Sequence, residues 1–132
     1  MLETLGVPVV GYQTDEFPAF YARHSGLPVS ARADSPQEVA AIARAHWSLG
    51  LGSAVLVAQP PPPEAALAEE TIEGIISQAL AEAQAQHIHG QAVSPFLLKR
   101  VSELSGGTSL QANLALLLNN ARLAGLVARA LL

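Results

Sequence analysis

Strand-forming runs occur in only three places along this chain, all before residue 60, and everything after them reads as helix or connector. Val7 to Gln13 is the clearest. Val7, Val9 and Val10 are β-branched and suit a buried strand, and the apolar run stops at Gly11, too soon for a helix. Leu27 to Ala33 follows, with partial alternation. Ser53 to Ala58 is continuous and apolar, the pattern of a strand buried on both faces. Between the second and third runs, Asp34-Ser35-Pro36-Gln37-Glu38 opens a helix. Ser35 serves as N-cap, Pro36 takes the first helical position and Glu38 completes a capping box. Val39, Ile42, Ala43 and Trp47 form its apolar stripe, and Gly50 stops it. A helix joining two strands is a βαβ unit, so the sheet is expected to be parallel. Three strands alone make an uncomfortable sheet. The others must come from a neighbouring chain, or the fold is small and oligomeric.

The second half is helical. Gln59 and Pro60-Pro61-Pro62-Pro63 leave the third strand. Prolines cannot join a ladder or a helix interior, so this is a stiff connector. A partner-docking motif of PxxP type is the alternative, and a short proline run inside a domain favours the connector. A long helix from Glu69 to Gln86 carries Ile72, Ile75, Ile76, Ala79, Leu80 and Ala83 on one face, and Gly90 ends it. Ser94 caps the next helix, which runs through Leu97, Leu98, Val101 and Leu104 to a stop at Gly106-Gly107. Thr108 and Gln111 form a second capping box for a final helix that is expected to be buried and soluble. The fold class is α/β: one domain over 1–132, a partial three-layer α/β/α arrangement with a small, mainly parallel sheet and a helix-rich C-terminal half.

Composition narrows the function. Half of the 132 residues are hydrophobic and only 14% are charged, too apolar for a disordered tail and low in charge for a globular domain. A surplus of apolar surface should therefore be covered by another chain. The net charge is −4 with no basic cluster, which argues against nucleic-acid binding through phosphates. No cysteine means no disulfide, thiolate nucleophile or cysteine-held zinc. Gln111, Asn113, Asn119, Asn120, Arg122 and Arg129 interrupt the last apolar stretch, and each is costly in a membrane span. No secretory signal follows Met1. The expected setting is soluble and cytoplasmic.

Several constellations invite chemistry. The loop after the first strand, Tyr12-Gln13-Thr14-Asp15-Glu16, lies where open α/β sheets build ligand sites. Asp15-Glu16 is a candidate acid–base pair, although adjacent exposed carboxylates are more often a solvated loop. Gly106-Gly107-Thr108-Ser109 can form an amide nest for phosphate. It lacks the lysine of a P-loop, and a helix stop followed by a cap explains the same residues. His87-x-His89 has no third ligand nearby for a metal, and His24 and His46 are isolated. Asn113, Asn119 and Asn120 are poor helix formers among leucines. They suggest either an inward polar task or ordinary amides tying the helix to a neighbour. A carboxamide at Asn113 offers a donor and an acceptor, which match the edge of a pyrimidine.

The order of these segments has a family likeness. Leu2-Glu3-Thr4-Leu5, Gly6 to Tyr21, Ser25 to Val29, Asp34-Ser35, Val57-Ala58, Ser94-Pro95-Phe96-Leu97-Leu98, Glu103 to Gly107, Ser109-Leu110, Asn113 and Asn119-Asn120-Ala121 resemble the C-terminal portion of pseudouridine-5'-phosphate glycosidases, the indigoidine synthase A-like family. Gln59-Pro60 stands where the family usually has Asn-Pro, Gln91 where it often has Lys, and Ser94 where it has Thr.

The resemblance implies reversible cleavage of the C–C glycosidic bond of pseudouridine 5'-phosphate to uracil and ribose 5-phosphate. A lysine amine opens the sugar as a Schiff base, a glutamate handles protons, and an aspartate-bound manganese organises the site. Those residues belong to a segment absent here, so the manganese ligands and the catalytic groups are not in this chain. Lys99 does not match the family's lysine. The residue carried over is Asn113, matching an asparagine that holds the uracil ring. The implied partners are the small-molecule substrate, the missing N-terminal segment and further copies of the chain, as a homo-oligomer of trimeric type. Alone, the chain is expected to be inactive. The alternatives are a non-catalytic remnant or binding module of the same fold and an oligomerisation domain built on the last helix.

Overall fold

The structure, a computed structural model, describes residues 2–132. Three short strands form one parallel sheet: β1 (Val9–Tyr12), β2 (Ala31–Ala33) and β3 (Leu56–Ala58), in the order β2-β1-β3. Val10 lies opposite Ala31 on one side and Val57 on the other. Four α-helices occur among the described residues: α1 (Pro36–Ser48), α2 (Glu69–Ala85), α3 (Val93–Leu104) and α4 (Thr108–Leu131). The α/β class and the parallel βαβ unit are as the sequence predicts.

The strands are shorter than their apolar runs. Only β1 is flanked on both sides, and its Val9, Val10 and Gly11 are buried. β3 was expected to be buried on both faces. It is instead an edge strand, with Leu56 exposed and Val57 and Ala58 half-buried.

α1 and α4 pack against each other and cover one face of the sheet. Val10, Ala33 and Val39 are the core there, with Tyr12, Ile42, Val55, Val57 and Val127 around them. A second cluster joins Tyr21 to Ile72, Ala79, Val101 and Ala112, where the loop after β1 meets α2, α3 and the first turns of α4.

The helix ends correct several expectations. At α1, Ser35 Oγ accepts from the Glu38 amide, but Glu38 reaches back to the amide of Asp34, one residue before the cap. Trp47 is exposed and its indole donates to the Ser53 carbonyl, whereas His46 is the buried residue of that turn. Ser53 Oγ donates to the Gly6 carbonyl, so the His46 ring nitrogen 2.8 Å away acts as donor. α2 has the expected bounds to within one residue, but His87 and not Gly90 stops it. His87 takes the left-handed conformation, and the amides of His87 and Ile88 close onto Gln84 and Ala83 in a Schellman arrangement. Ser94 does not cap α3, because a short 3-10 turn over Gly90–Ala92 starts the helix first and puts Ser94 inside its first turn. Thr108 makes no capping box. Its hydroxyl donates to Ser105, and the left-handed Gly107 is the cap.

α4 was expected to be buried and is not. Val127, Leu123 and Ala112 face inward, while Leu110, Leu114, Leu117, Leu118 and Leu126 are exposed. One helix against one face buries one stripe. By length and composition alone, α4 is long and apolar enough to cross a membrane.

Candidate functional site at the carboxyl ends of the strands

The loop leaving β1 folds back sharply. A Cβ on Gly11 would sit 2.2 Å from the Thr14 carbonyl oxygen, so only glycine fits. Gln13 follows with φ of 57°, a left-handed conformation uncommon outside glycine, held by its amide bonding to the Ala33 carbonyl. The chain then pairs antiparallel with the segment before β2. Phe17 donates to the Leu27 carbonyl and Val29 to the Asp15 carbonyl.

The Asp15-Glu16 pair is committed to this frame. Glu16 Oε2 accepts from the amides of Ser25 and Gly26, both at 3.0 Å. Those two amides, Gly26 first, hold its pKa below the usual carboxylate value, with His24 adding to the effect. Asp15 binds the Arg32 guanidinium at 2.7 Å, and Asp34 binds it from the other side. Arg32 is accordingly pushed above its ordinary value, by Asp34 first. A carboxylate already holding two donors stays ionised at neutral pH and is a poor proton carrier. These groups shape the loop.

Farther along, Arg23 donates to the Pro61 carbonyl at 2.5 Å and Pro61 is fully buried, so the proline run serves as the rigid connector. The Leu67 amide donates to the Tyr21 carbonyl. Burial raises the Tyr21 phenol, and the Ser109 hydroxyl beside it acts the other way. Ser109 is 1% exposed, and its Oγ has no hydrogen-bond partner among the described residues.

The Gly106-Gly107-Thr108-Ser109 nest is already full. The amides of Gly106, Gly107 and Thr108 bond to Glu103, Ser102 and Ser105, and that of Ser109 bonds to the Ser105 hydroxyl. Leu110 and Gln111 both bond to Gly107. An anion there would find no free backbone amide, so the helix stop is the better account.

Asn113 and Asn120 share one stripe of α4, two turns apart. Gln59, just past β3, donates to Asn120 Oδ1 at 2.8 Å. The groove beside Asn120 is lined by Val55 and Val57, which precede Gln59, and by Leu123, Val127 and Leu131, which follow Asn120. The helix therefore runs antiparallel to β3, and Asn113 stands roughly 10 Å beyond Asn120, past the carboxyl ends of the strands. Asn113 is half-buried, and its carboxamide makes no hydrogen bond among the described residues. Asn119 is half-buried as well. The sequence marks the asparagines but gives no hint that Gln59 reaches Asn120.

The cavity at the strand ends, lined by Gln13, Thr14, Asp15, Arg23, Arg32 and Pro60, holds about 200 Å³. Small-molecule sites usually enclose roughly 300 Å³ or more, so a nucleotide would need further walls. No group of three metal-ligating side chains occurs among the described residues. With Asp15 and Asp34 held by Arg32 and Glu16 by amides, this face does not fit manganese. His87 and His89 lie away from it, on the far end of α2.

A profile of the family described as indigoidine synthase A like protein matches residues 1–130. This chain belongs to the indigoidine synthase A-like family. It is 55% identical to the pseudouridine-5'-phosphate glycosidase of Geobacillus kaustophilus, over 98% of this chain and 43% of that protein. The enzyme of the same name from Paracoccus denitrificans is 50% identical, over 99% and 43%. The chain thus spans less than half the length of the curated relatives it matches. Two solved structures share the fold. The prealnumycin C-glycosynthase AlnA, in complex with ribulose 5-phosphate, superposes with a TM-score of 0.87 at 42% identity, over 98% of this chain and 43% of that one. An indigoidine synthase A-like protein from Thermotoga maritima gives 0.84 at 38% identity, over 96% and 41%.

Proposed function

We propose that this chain is the C-terminal portion of a pseudouridine-5'-phosphate glycosidase. Its work is to hold the uracil end of the substrate. The observation that carries the reading is Asn113: a half-buried carboxamide without an internal partner, past the strand ends, in a chain 55% identical to an enzyme of that name. Its N–H and C=O match the alternating acceptor and donor of the uracil edge. The β1 loop forms the floor, fixed by Glu16 and Arg32. The lysine that opens the sugar, the proton-handling glutamate and the manganese ligands belong to residues outside this chain, so the isolated polypeptide is inactive. The working enzyme is a cytoplasmic homo-oligomer, a trimer, that takes pseudouridine 5'-phosphate or uracil plus ribose 5-phosphate and engages neither nucleic acid nor membrane.

The test is a chimera in which this chain replaces its matching part of the Geobacillus kaustophilus relative. Uracil release from pseudouridine 5'-phosphate at a rate near that of the parent supports the reading. A folded chimera that binds neither uracil nor the nucleotide contradicts it.

A further inference from the structure

Leu110, Leu114, Leu117, Ala121, Ala124 and Ala128 are all exposed, and their spacing alternates between four and three residues along α4. That is the seam of a helix built to pack lengthwise against another helix. Leu110, Leu114 and Leu117 each leave more than half of their surface open. On the side away from the groove the seam is bordered by Leu118, and beyond it lie the polar, exposed Gln111, Arg122 and Arg129. The seam is continuous with the groove beside β3, because Ala124 and Ala128 line both.

The two free edges of the sheet differ. β2 carries Arg32, held by Asp15 and Asp34, and a charged edge strand discourages pairing. β3 presents Leu56, Val57 and Ala58, with no charge. A further parallel strand is therefore admitted at β3. A parallel neighbour needs a crossover helix lying on the face of the sheet. A helix beside β3 on the covered face would rest in the groove, along the seam of α4. More than half the length of the relatives and of the solved chains lies outside the part this chain matches, so a family chain has a second body of structure to seat.

We infer that the free edge of β3 and the Leu/Ala seam of α4 together form the docking surface for a strand–helix unit from the remaining part of a family enzyme. Asn113 borders the seam, one residue before Leu114, so the docked unit closes the site beside it. This inference rests on the family reading of the site but is tested without turnover.

The test co-expresses this chain, tagged, with the part of the Geobacillus kaustophilus relative that it does not match, and measures capture, affinity and amide exchange. A one-to-one complex is expected, with exchange of the Val57 amide, which faces the free edge because that of Leu56 already bonds to Pro8, slowed at least about tenfold relative to the free chain. Leu114→Asp with Leu117→Asp should weaken the complex about 30-fold or more, as loss of a buried anchor does, while Arg122→Asp, off the seam, stays within about threefold. Circular dichroism checks that each variant keeps its helix content, and the exchange result stands on the unsubstituted chain if one does not. Absence of a complex, an unprotected Val57 amide, or equal loss from Arg122→Asp overturns the inference. So does a seam substitution that only dissolves self-association of this chain, which would make the surface an interface between copies. A complex that forms without releasing uracil would leave the docking intact and remove the activity.

Discussion

Gln59 Nε2 donates to Asn120 Oδ1 at 2.8 Å, joining the end of β3 to the middle of α4. The bond is exposed, so either Gln59→Ala or Asn120→Ala should cost at most about 1 kcal/mol. The two changes should be non-additive in thermal unfolding, since each removes the same bond. Strict additivity would mean the link carries no energy.

Asn113→Ala should lower the affinity of the reconstituted enzyme for uracil by about 10- to 100-fold, the loss of two hydrogen bonds to one edge. Helix content should not change, because Asn113 bonds to nothing else described and alanine is the better helix former. Unaltered affinity by calorimetry would take Asn113 out of the site.

Gly11→Ala should destabilise the chain by about 2 kcal/mol or more, since the added Cβ meets the Thr14 carbonyl at 2.2 Å. Gly52→Ala is the control: its Cβ meets nothing within 4 Å, and the change should stay within about 0.5 kcal/mol. Equal effects in chemical denaturation would show that the turn relaxes freely.

Glu16 predicts an acid-sensitive loop. Its pKa in the folded chain is lowered by the amides of Gly26 and Ser25. The stability it contributes is thus fully present above the unfolded value of about 4.3 and is lost as pH falls through the lower folded value. The difference in melting temperature between the parent and Glu16→Gln should be constant near neutrality and shrink below pH ~4. A difference independent of pH would mean the carboxylate is not held by these amides.

Much of this was legible in local chemistry. The strands announce themselves by β-branched runs, and Ser35 and Gly106-Gly107 mark a helix start and a helix stop whose geometry is confirmed bond by bond. What failed depended on neighbours in space. Ser94 looks like a cap until the turn at Gly90 starts the helix ahead of it. Trp47 fits the apolar stripe of α1, but the turn rotates His46 inward to meet Ser53. The burial of β3 and α4 does not follow from their apolar sequence, because such a sequence records what can be buried and not what is: Leu56 and Leu117 are exposed. At the site, Asn113 was legible as an asparagine out of place among leucines. The reach of Gln59 to Asn120 depends on the antiparallel run of α4 along β3, which no spacing encodes.

The most direct measurement incubates pseudouridine 5'-phosphate with this chain alone, with the complementary part of the Geobacillus kaustophilus relative alone, and with both, and quantifies free uracil. The account predicts uracil only in the mixture, and its reduction there by Asn113→Ala. Release of uracil by this chain unaided would contradict it.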